Sequence, residues 1–301
     1  MKVLGLVVFA ACGVGSLLCG CGGSASLQST SVLPANGLAG NWLIVGPMPE
    51  ISPSVTNPTG TTLQLALTVD EVGNNLVAGG SGDLICNGSA GAFGLGLSGT
   101  VAQDGTVTLH SPGSANGPLV IGGKASASAS TLWSGNYTMS PAAFTSLSSS
   151  CVGTLSNTFT AVPFPLVSGV YAGTATGTTI INDTPTTITL QMTLQQGGTA
   201  TDTLTGATET SNIVLTGSLK VQGSPCFSSG TTTGLPSSTI MGNRMLVTFT
   251  MDDGSTLQLI GMLTDVGESR IATDLVSLSG GKCGGGTIPV VYQMGELDRQ
   301  N

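Results

Sequence analysis

Two stretches of strict alternation decide the fold class: T-L-Q-L-A-L-T-V at 62–69 and T-I-T-L-Q-M-T-L at 187–194. Every second residue in each stretch is aliphatic or Met, and the residues between are mostly Thr and Gln. A period of two places the apolar side chains on one face, which is typical of an antiparallel strand with one buried and one solvated face. Helical signals are scarce. Ser140–Phe144 predicts one capped turn, because Pro141 suits the first helical position.

The landmarks around these stretches occur twice in the same order, which indicates an internal duplication. A Gly-x-aromatic opening precedes each stretch, at Gly40-Asn41-Trp42 and at Gly169-Val170-Tyr171. A cysteine, an Asp-Gly pair and a second cysteine follow, at Cys86, Asp104-Gly105 and Cys151 in the first copy and at Cys226, Asp253-Gly254 and Cys283 in the second. Asp-Gly between alternating strands favours a tight hairpin. A chance similarity between two halves of an all-β chain is the alternative explanation.

Many short strands separated by Gly and Asn predict an all-β protein. We expect two tandem antiparallel domains, either β-barrels or β-sandwiches, with little helix. Residues 38–163 form the first β-domain and residues 164–301 the second. A signal peptide at 1–20 and a tether at 21–37 precede them. The tether is predicted to be flexible, since its small polar residues bury too little surface to offset their ordering entropy.

Charged side chains are rare in this chain, and this excludes several classes of function. They make up 7% of the 301 residues, with a net charge of −8. Because nucleic acid requires a basic face, we expect no nucleic-acid partner. The single histidine, His110, allows no pair of His metal ligands and leaves little scope for His-based catalysis. We also expect the polar segment 296–301 to fray at the end of the chain.

The first residues have the features of an export signal. Lys2 precedes an apolar run, Val3–Leu18, which is shorter than the roughly 20 residues that a membrane-spanning helix needs. The ending Leu18-Cys19-Gly20-Cys21 resembles the lipobox of bacterial lipoproteins. That resemblance implies lipidation of the Cys21 thiol, cleavage before Cys21 and acylation of the new amine. It also implies transport to the outer membrane of a Gram-negative bacterium, because Gly22 stands where Asp would favour retention. An ordinary secretory signal cut elsewhere is the alternative.

The Gly40-Asn41-Trp42 opening is similar to the Gly-x-Trp signature of lipocalins, whose eight-stranded barrels hold small apolar ligands. The second copy has Tyr171 where that signature has Trp. The resemblance implies lipocalin-like barrels. It also implies an alternative function, a carrier of small apolar molecules, with Trp42 and Tyr171 near the closed ends of the two lumens.

Four cysteines remain once Cys12 and Cys19 leave with the leader and Cys21 takes lipid. An even number outside the cytoplasm predicts disulfides rather than free thiols. Three connectivities are possible, and the pairs Cys86–Cys151 and Cys226–Cys283 keep each bridge within one copy. Each bridge would stabilise its domain by about 4 kcal/mol in the chain-entropy model. We expect no metal site, because no Cys-x-x-Cys spacing is present.

The residues that could do chemistry have structural explanations. His110 ends a predicted strand and is expected to face water. The adjacent carboxylates Asp70-Glu71 and Asp252-Asp253 lie where strands end, and turn hydrogen bonding accounts for them. Gly94–Gly99 matches a dinucleotide-binding spacing, but no strand–helix–strand unit surrounds it. We therefore expect no catalytic residues and no cofactor.

The predicted function is a non-catalytic, lipid-anchored cell-envelope protein, a binding or structural surface module. Its partners are expected to be the membrane, through the N-terminal lipid, and an unidentified protein, glycan or small apolar ligand.

Overall fold

The computed structural model describes residues 37–47, 62–86, 89–112, 118–125, 133–144, 154–178, 185–201, 206–264, 270–282 and 290–300. The strands of this part of the chain are β1 (Gly40–Pro47), β2 (Thr62–Val72), β3 (Asn75–Cys86), β4 (Ser89–Val101), β5 (Thr106–His110), β6 (Leu119–Ala125), β7 (Trp133–Met139), β8 (Leu155–Phe164), β9 (Gly169–Thr178), β10 (Pro185–Gln196), β11 (Thr199–Thr201), β12 (Thr208–Thr210), β13 (Leu215–Gln222), β14 (Ser229–Thr232), β15 (Thr239–Met241), β16 (Arg244–Met251), β17 (Thr256–Leu263), β18 (Ile271–Ser279), β19 (Val290–Met294) and β20 (Glu296–Gln300). The protein is all-β, as predicted.

Strands β1 to β8 form a closed barrel, which we call the first barrel. Each strand pairs antiparallel with the next in the chain, and β8 returns to β1. The closing register sets Asn41 opposite Phe164 and Val45 opposite Thr160. Closure leaves no unpaired sheet edge in this circuit, which removes the usual site of strand-to-strand aggregation.

Strands β9 to β20 build a second closed barrel of the same kind. Its circuit runs β9, β10, β13, β14, β16, β17 and β18 and returns to β9 through β19 and β20, which share one position. The hairpin of β11 and β12 is a separate two-stranded sheet, and β15 adds to β16. Of the two architectures expected, barrels and sandwiches, the structure therefore has tandem barrels.

The two barrels repeat the same local pairing at their openings. Gly40 stands opposite Val69 in the first barrel, and Gly169 stands opposite Leu194 in the second. Both glycines have positive φ, +131° and +140°. The next pairs along also correspond, because Trp42 faces Leu67 and Tyr171 faces Met192. The repeated plan expected from the sequence is thus repeated in three dimensions.

Each barrel encloses its own apolar core. The alternating residues at 63–69 and 188–194 point inward and are buried, as their period of two predicts. The hairpin signal at Asp253-Gly254 also sets the expected register, since Phe249 pairs with Leu257 and Val247 with Leu259.

The outer face of β2 differs from the expected solvated face. Ala66 and Thr68 point away from the first core, yet they are 1% and 0% exposed. The second barrel covers them through β15, whose Ile240 carbonyl lies against the Thr68 hydroxyl. A period of two identifies which residues leave the core, but another domain can still bury them.

The expectation of a frayed C-terminus is wrong for residues 296–300. This segment forms β20, which pairs with both β9 and β18. Leu297 is fully buried in the second core, so one apolar side chain fixes an otherwise polar strand. The turn predicted at Ser140 is present as a short 3₁₀ segment, Pro141–Ala143, but the Ser140 side chain makes no capping hydrogen bond. In the described part of the chain, no helix has the length and apolar character needed to span a membrane.

Candidate functional site

Aromatic side chains fill the interior of the first barrel. Trp133 lies edge-on to Trp42, with ring centroids 6.1 Å apart, and edge-on to Phe159 at 5.2 Å. The Trp42 indole Nε1 donates to the carbonyl of Leu38 over 2.8 Å. The Tyr137 ring is 1% exposed, and desolvation raises its pKa to about 12. These side chains occupy the volume in which a carried ligand would lie.

The second barrel has a core of mainly Leu, Val and Ile that contains methionines and tyrosines and no tryptophan among its described residues. Its core includes Met192, Met245 and Met251. Tyr171 and Tyr292 are fully buried, and their hydroxyls have no hydrogen-bond partner among the described residues. Burial raises the pKa of both phenols, and the nearby Arg299 charge partly opposes this for Tyr171. Trp42 and Tyr171, which the carrier alternative puts near the closed ends of the two lumens, are buried in the first strand of each barrel.

Turn hydrogen bonding is the expectation for the carboxylates at 70 and 71, but both accept hydrogen bonds from distant parts of the chain and serve two different structural roles. Asp70 accepts hydrogen bonds from the Ser211 hydroxyl and from the Asn212 backbone N–H at 2.8 Å. Burial raises the pKa of Asp70, and these two hydrogen bonds partly oppose that shift. Glu71 instead accepts from the backbone N–H of Leu38 at 3.0 Å. The two groups do not converge on one point, as expected for neighbours on a strand.

The second carboxylate pair is engaged at a turn. Asp252 accepts from the backbone N–H and the hydroxyl of Ser228, and these hydrogen bonds lower the pKa of Asp252. Asp253 accepts from Ser255 and from the backbone N–H of Lys282. Among the described residues, no three His, Cys, Asp or Glu side chains come together as a metal site would require.

His110 and Ser111 do not form a catalytic arrangement. The His110 ring Nδ1 lies 3.3 Å from the backbone carbonyl of Ser111. The Ser111 hydroxyl is buried, accepts from the Leu119 N–H at 2.9 Å and lies 3.3 Å from the Leu119 carbonyl. His110 is half-buried rather than fully solvated, which differs from the expectation.

Of the cysteines singled out in the sequence, Cys226 is the one whose side chain the structure describes. Cys226 is disulfide-bonded and packs against the second core. Cys86 ends β3, and nothing is described of its side chain. Cys21, Cys151 and Cys283 lie outside the described residues, so lipidation and both pairings remain predictions.

An open depression lies on the outer face of β5, β6 and β7. Its lining contains hydroxyl side chains, glycines that expose backbone, one amine and one amide. Residues of the lining include Thr106, Thr108, Gly122, Lys124, Ser134 and Asn136. These groups could hydrogen-bond a polar molecule, but they offer no nucleophile activated by a base.

The most completely bonded polar cluster lies between the barrels, and the sequence analysis missed it. The side-chain amides of Asn41 and Gln196 exchange two hydrogen bonds of 2.8 Å each. Asn41 Nδ2 donates to Gln196 Oε1, and Gln196 Nε2 donates to Asn41 Oδ1. Gln196 also accepts from the Val167 N–H and donates to the Asn212 carbonyl, both at 2.9 Å. All the hydrogen-bonding capacity of the Gln196 amide is therefore used.

One signal in the sequence could have indicated this cluster. Every second residue of β2 and β10 faces the core, and Glu71 and Gln196 are the next residues in these two series. A polar side chain in such a position needs a buried hydrogen-bond partner. They occupy equivalent places in the two copies: Glu71 accepts the N–H of Leu38, and Gln196 accepts that of Val167. Gln196 additionally reaches across to the first barrel.

Comparison with known proteins assigns no family. No protein-family model, no curated protein and no solved structure matches this chain.

Proposed function

We propose that this protein is a non-catalytic, lipid-anchored component of a bacterial cell envelope, in which two β-barrels form a binding or structural surface module. The lipobox-like sequence Leu18-Cys19-Gly20-Cys21 is the observation on which the anchor rests, since two or more acyl chains on one residue hold a protein firmly to a bilayer. With Gly22 in the following position, the outer membrane of a Gram-negative bacterium is the proposed destination.

The disulfide at Cys226 supports export. Structural disulfides persist in oxidising compartments and are rare in the cytosol. The bridge agrees with a leader that directs the chain out of the cytoplasm. We propose Cys283 as its partner and Cys86–Cys151 as the equivalent bridge of the first barrel.

The engagement of the polar side chains supports a non-catalytic role. Asp70, Glu71, Asp252 and Asp253 all accept hydrogen bonds from backbone or hydroxyl groups of the folded chain, and those of Asp70 join the two barrels. A general acid or base needs a free position beside a substrate atom. These carboxylates are instead part of the scaffold.

The alternative of a carrier has less support. Barrels of this size hold a small ligand only where side chains leave space in the lumen. Here Trp133, Tyr137 and Phe159 occupy the first lumen, and aliphatic side chains with methionines and tyrosines occupy the second. The open depression outside β5–β7 presents a few hydroxyl, amide and amine groups that a small ligand or glycan could contact.

The anchor is tested by expressing the full chain in a Gram-negative host and determining the mass of its mature N-terminus. We expect a chain that begins at Cys21, bears a diacylglyceryl thioether and an N-acyl group, and fractionates with membranes. Cys21→Ser should abolish the lipid and the cleavage. Cys19→Ser is the matched control, because it removes a thiol two residues away and should leave both intact. A lipid-free terminus at any other residue would overturn the proposal.

A further inference from the structure

The contact between the barrels buries polar side chains as deeply as a protein core does. Asn41 and Thr68 both point out of the first barrel, yet the second barrel leaves them 1% and 0% exposed. Thr68 Oγ1 lies 2.9 Å from Asn41 Oδ1 and 3.0 Å from the Ile240 carbonyl, and it accepts the Gly242 N–H at 2.9 Å. We call this set of residues, with Gln196, the junction.

The junction fixes the orientation of the barrels and not only their proximity. A pair of amides can exchange two hydrogen bonds only when the two planes are aligned. Sliding or rotating one barrel would break both hydrogen bonds between Asn41 and Gln196, and buried polar groups that lose hydrogen bonds are strongly unfavourable. Domains joined by loose contacts usually move relative to one another, and this interface lacks that freedom.

Two glycines, one from each barrel, allow the close approach. A Cβ on Gly242 would lie 2.5 Å from the Trp42 carbonyl oxygen and 2.6 Å from the Leu67 nitrogen, so this residue of the second barrel touches first-barrel backbone. In the reverse direction, a Cβ on Gly79 would lie 2.4 Å from Cδ1 of Ile213, whose side chain fills that hollow. The two surfaces are complementary in shape at both points.

Polar contacts extend the junction toward its margins. Asp70 of β2 bonds the Ser211 hydroxyl and the Asn212 N–H of the second barrel. The Asn212 amide in turn donates to the Val69 carbonyl over 3.2 Å. An ion pair joins Arg244 of β16 to Asp83 of β3. These contacts connect β2 and β3 to two separate segments of the second barrel, residues 211–212 and β16.

We propose that the junction makes the two barrels one cooperative folding unit and one rigid body, so that the second barrel is a structural part of the first. The surface offered to a partner is then a single fixed surface that spans both barrels. This inference is independent of the lipid anchor, because every contact on which it rests lies within the described folded chain.

The distribution of tryptophan provides a selective test. Both tryptophans of the chain, Trp42 and Trp133, lie in the first barrel, so their fluorescence follows the unfolding of that barrel alone. Gln196→Ala is a change in the second barrel. We expect it to lower the tryptophan-detected Tm by about 5–10 °C, because it removes both amide–amide hydrogen bonds to Asn41 and leaves the Val167 N–H buried without a partner.

Gln195→Ala is the matched control, since Gln195 is the exposed neighbour of the same residue type. It should move the tryptophan-detected Tm by about 1 °C or less. An unchanged tryptophan transition in a folded Gln196→Ala protein would overturn the proposal.

A second variant keeps the test decisive if Gln196→Ala does not fold. Val276→Ala removes a fully buried contact in the second core and leaves the junction residues intact. With coupled barrels, fluorescence and far-ultraviolet circular dichroism should follow one transition, shifted to the same lower Tm. If Val276→Ala lowers only a part of the circular dichroism transition and the tryptophan transition stays in place, the barrels unfold independently and the proposal is wrong.

Discussion

Replacement of Gly242 by alanine should destabilise the first barrel, although Gly242 belongs to the second. Gly242 has φ +60°, where an L-residue is strained by about 1–2 kcal/mol. Its new Cβ would also lie 2.5 Å from the Trp42 carbonyl oxygen and 2.7 Å from Ala66 Cα. These atoms are backbone in paired strands of a closed barrel and cannot yield alone. Overpacking of this kind costs about 1–3 kcal/mol more, so we expect a total loss of about 2–5 kcal/mol.

Gly73→Ala separates the two contributions. Gly73 has φ +63°, which matches Gly242, but a Cβ there meets nothing within 4 Å. This control should therefore lose only the backbone strain, about 1–2 kcal/mol. Urea unfolding followed by tryptophan fluorescence gives the free energy of unfolding for both variants. The difference between them measures the contact across the junction.

The expected difference is about 1–3 kcal/mol, with Gly242→Ala the less stable. A difference below about 0.5 kcal/mol, within ordinary surface effects, would show that the barrels are not held at the distance described. Equal losses in the two variants would also contradict the coupling of the second barrel to the tryptophans of the first.

Three further predictions concern titration and the disulfide. Cys283→Ser should leave Cys226 as a free thiol and lower the free energy of unfolding by about 4 kcal/mol, and peptide mapping that links Cys226 to another cysteine would contradict this. Burial raises the pKa of Asp70 in the folded state. The stability of the protein relative to the Asp70→Asn variant should therefore be greatest below pH about 4 and decline as the pH rises through the raised folded pKa. Unfolding of both proteins measured at a series of pH values checks this. Desolvation raises the pKa of Tyr137 to about 12. The free energy of unfolding should therefore fall as the pH rises above about 10, where the phenol of the unfolded chain ionises. An ultraviolet titration that found all three tyrosines ionised near pH about 10 in the folded state would contradict this.

Local pattern was enough to predict the strands and the hairpins. The alternation at 62–69 and 188–194 identifies the buried face of β2 and β10, because side chains on a strand alternate with a period that needs no knowledge of distant residues. The Asp-Gly turn likewise sets Phe249 opposite Leu257. The C-terminal segment was misjudged because a single Leu297 among polar residues gives no periodic signal, although its burial fixes β20.

The sequence by itself determined the all-β class and the repeated plan, since each depends on residues close together in the chain. The tertiary structure alone decided that β8 closes onto β1 and that Asn41 meets Gln196, a residue 155 positions away. An exposed and a covered polar residue look alike in a sequence. What distinguishes them is whether another surface, placed by the rest of the fold, excludes water from them and satisfies their hydrogen bonds.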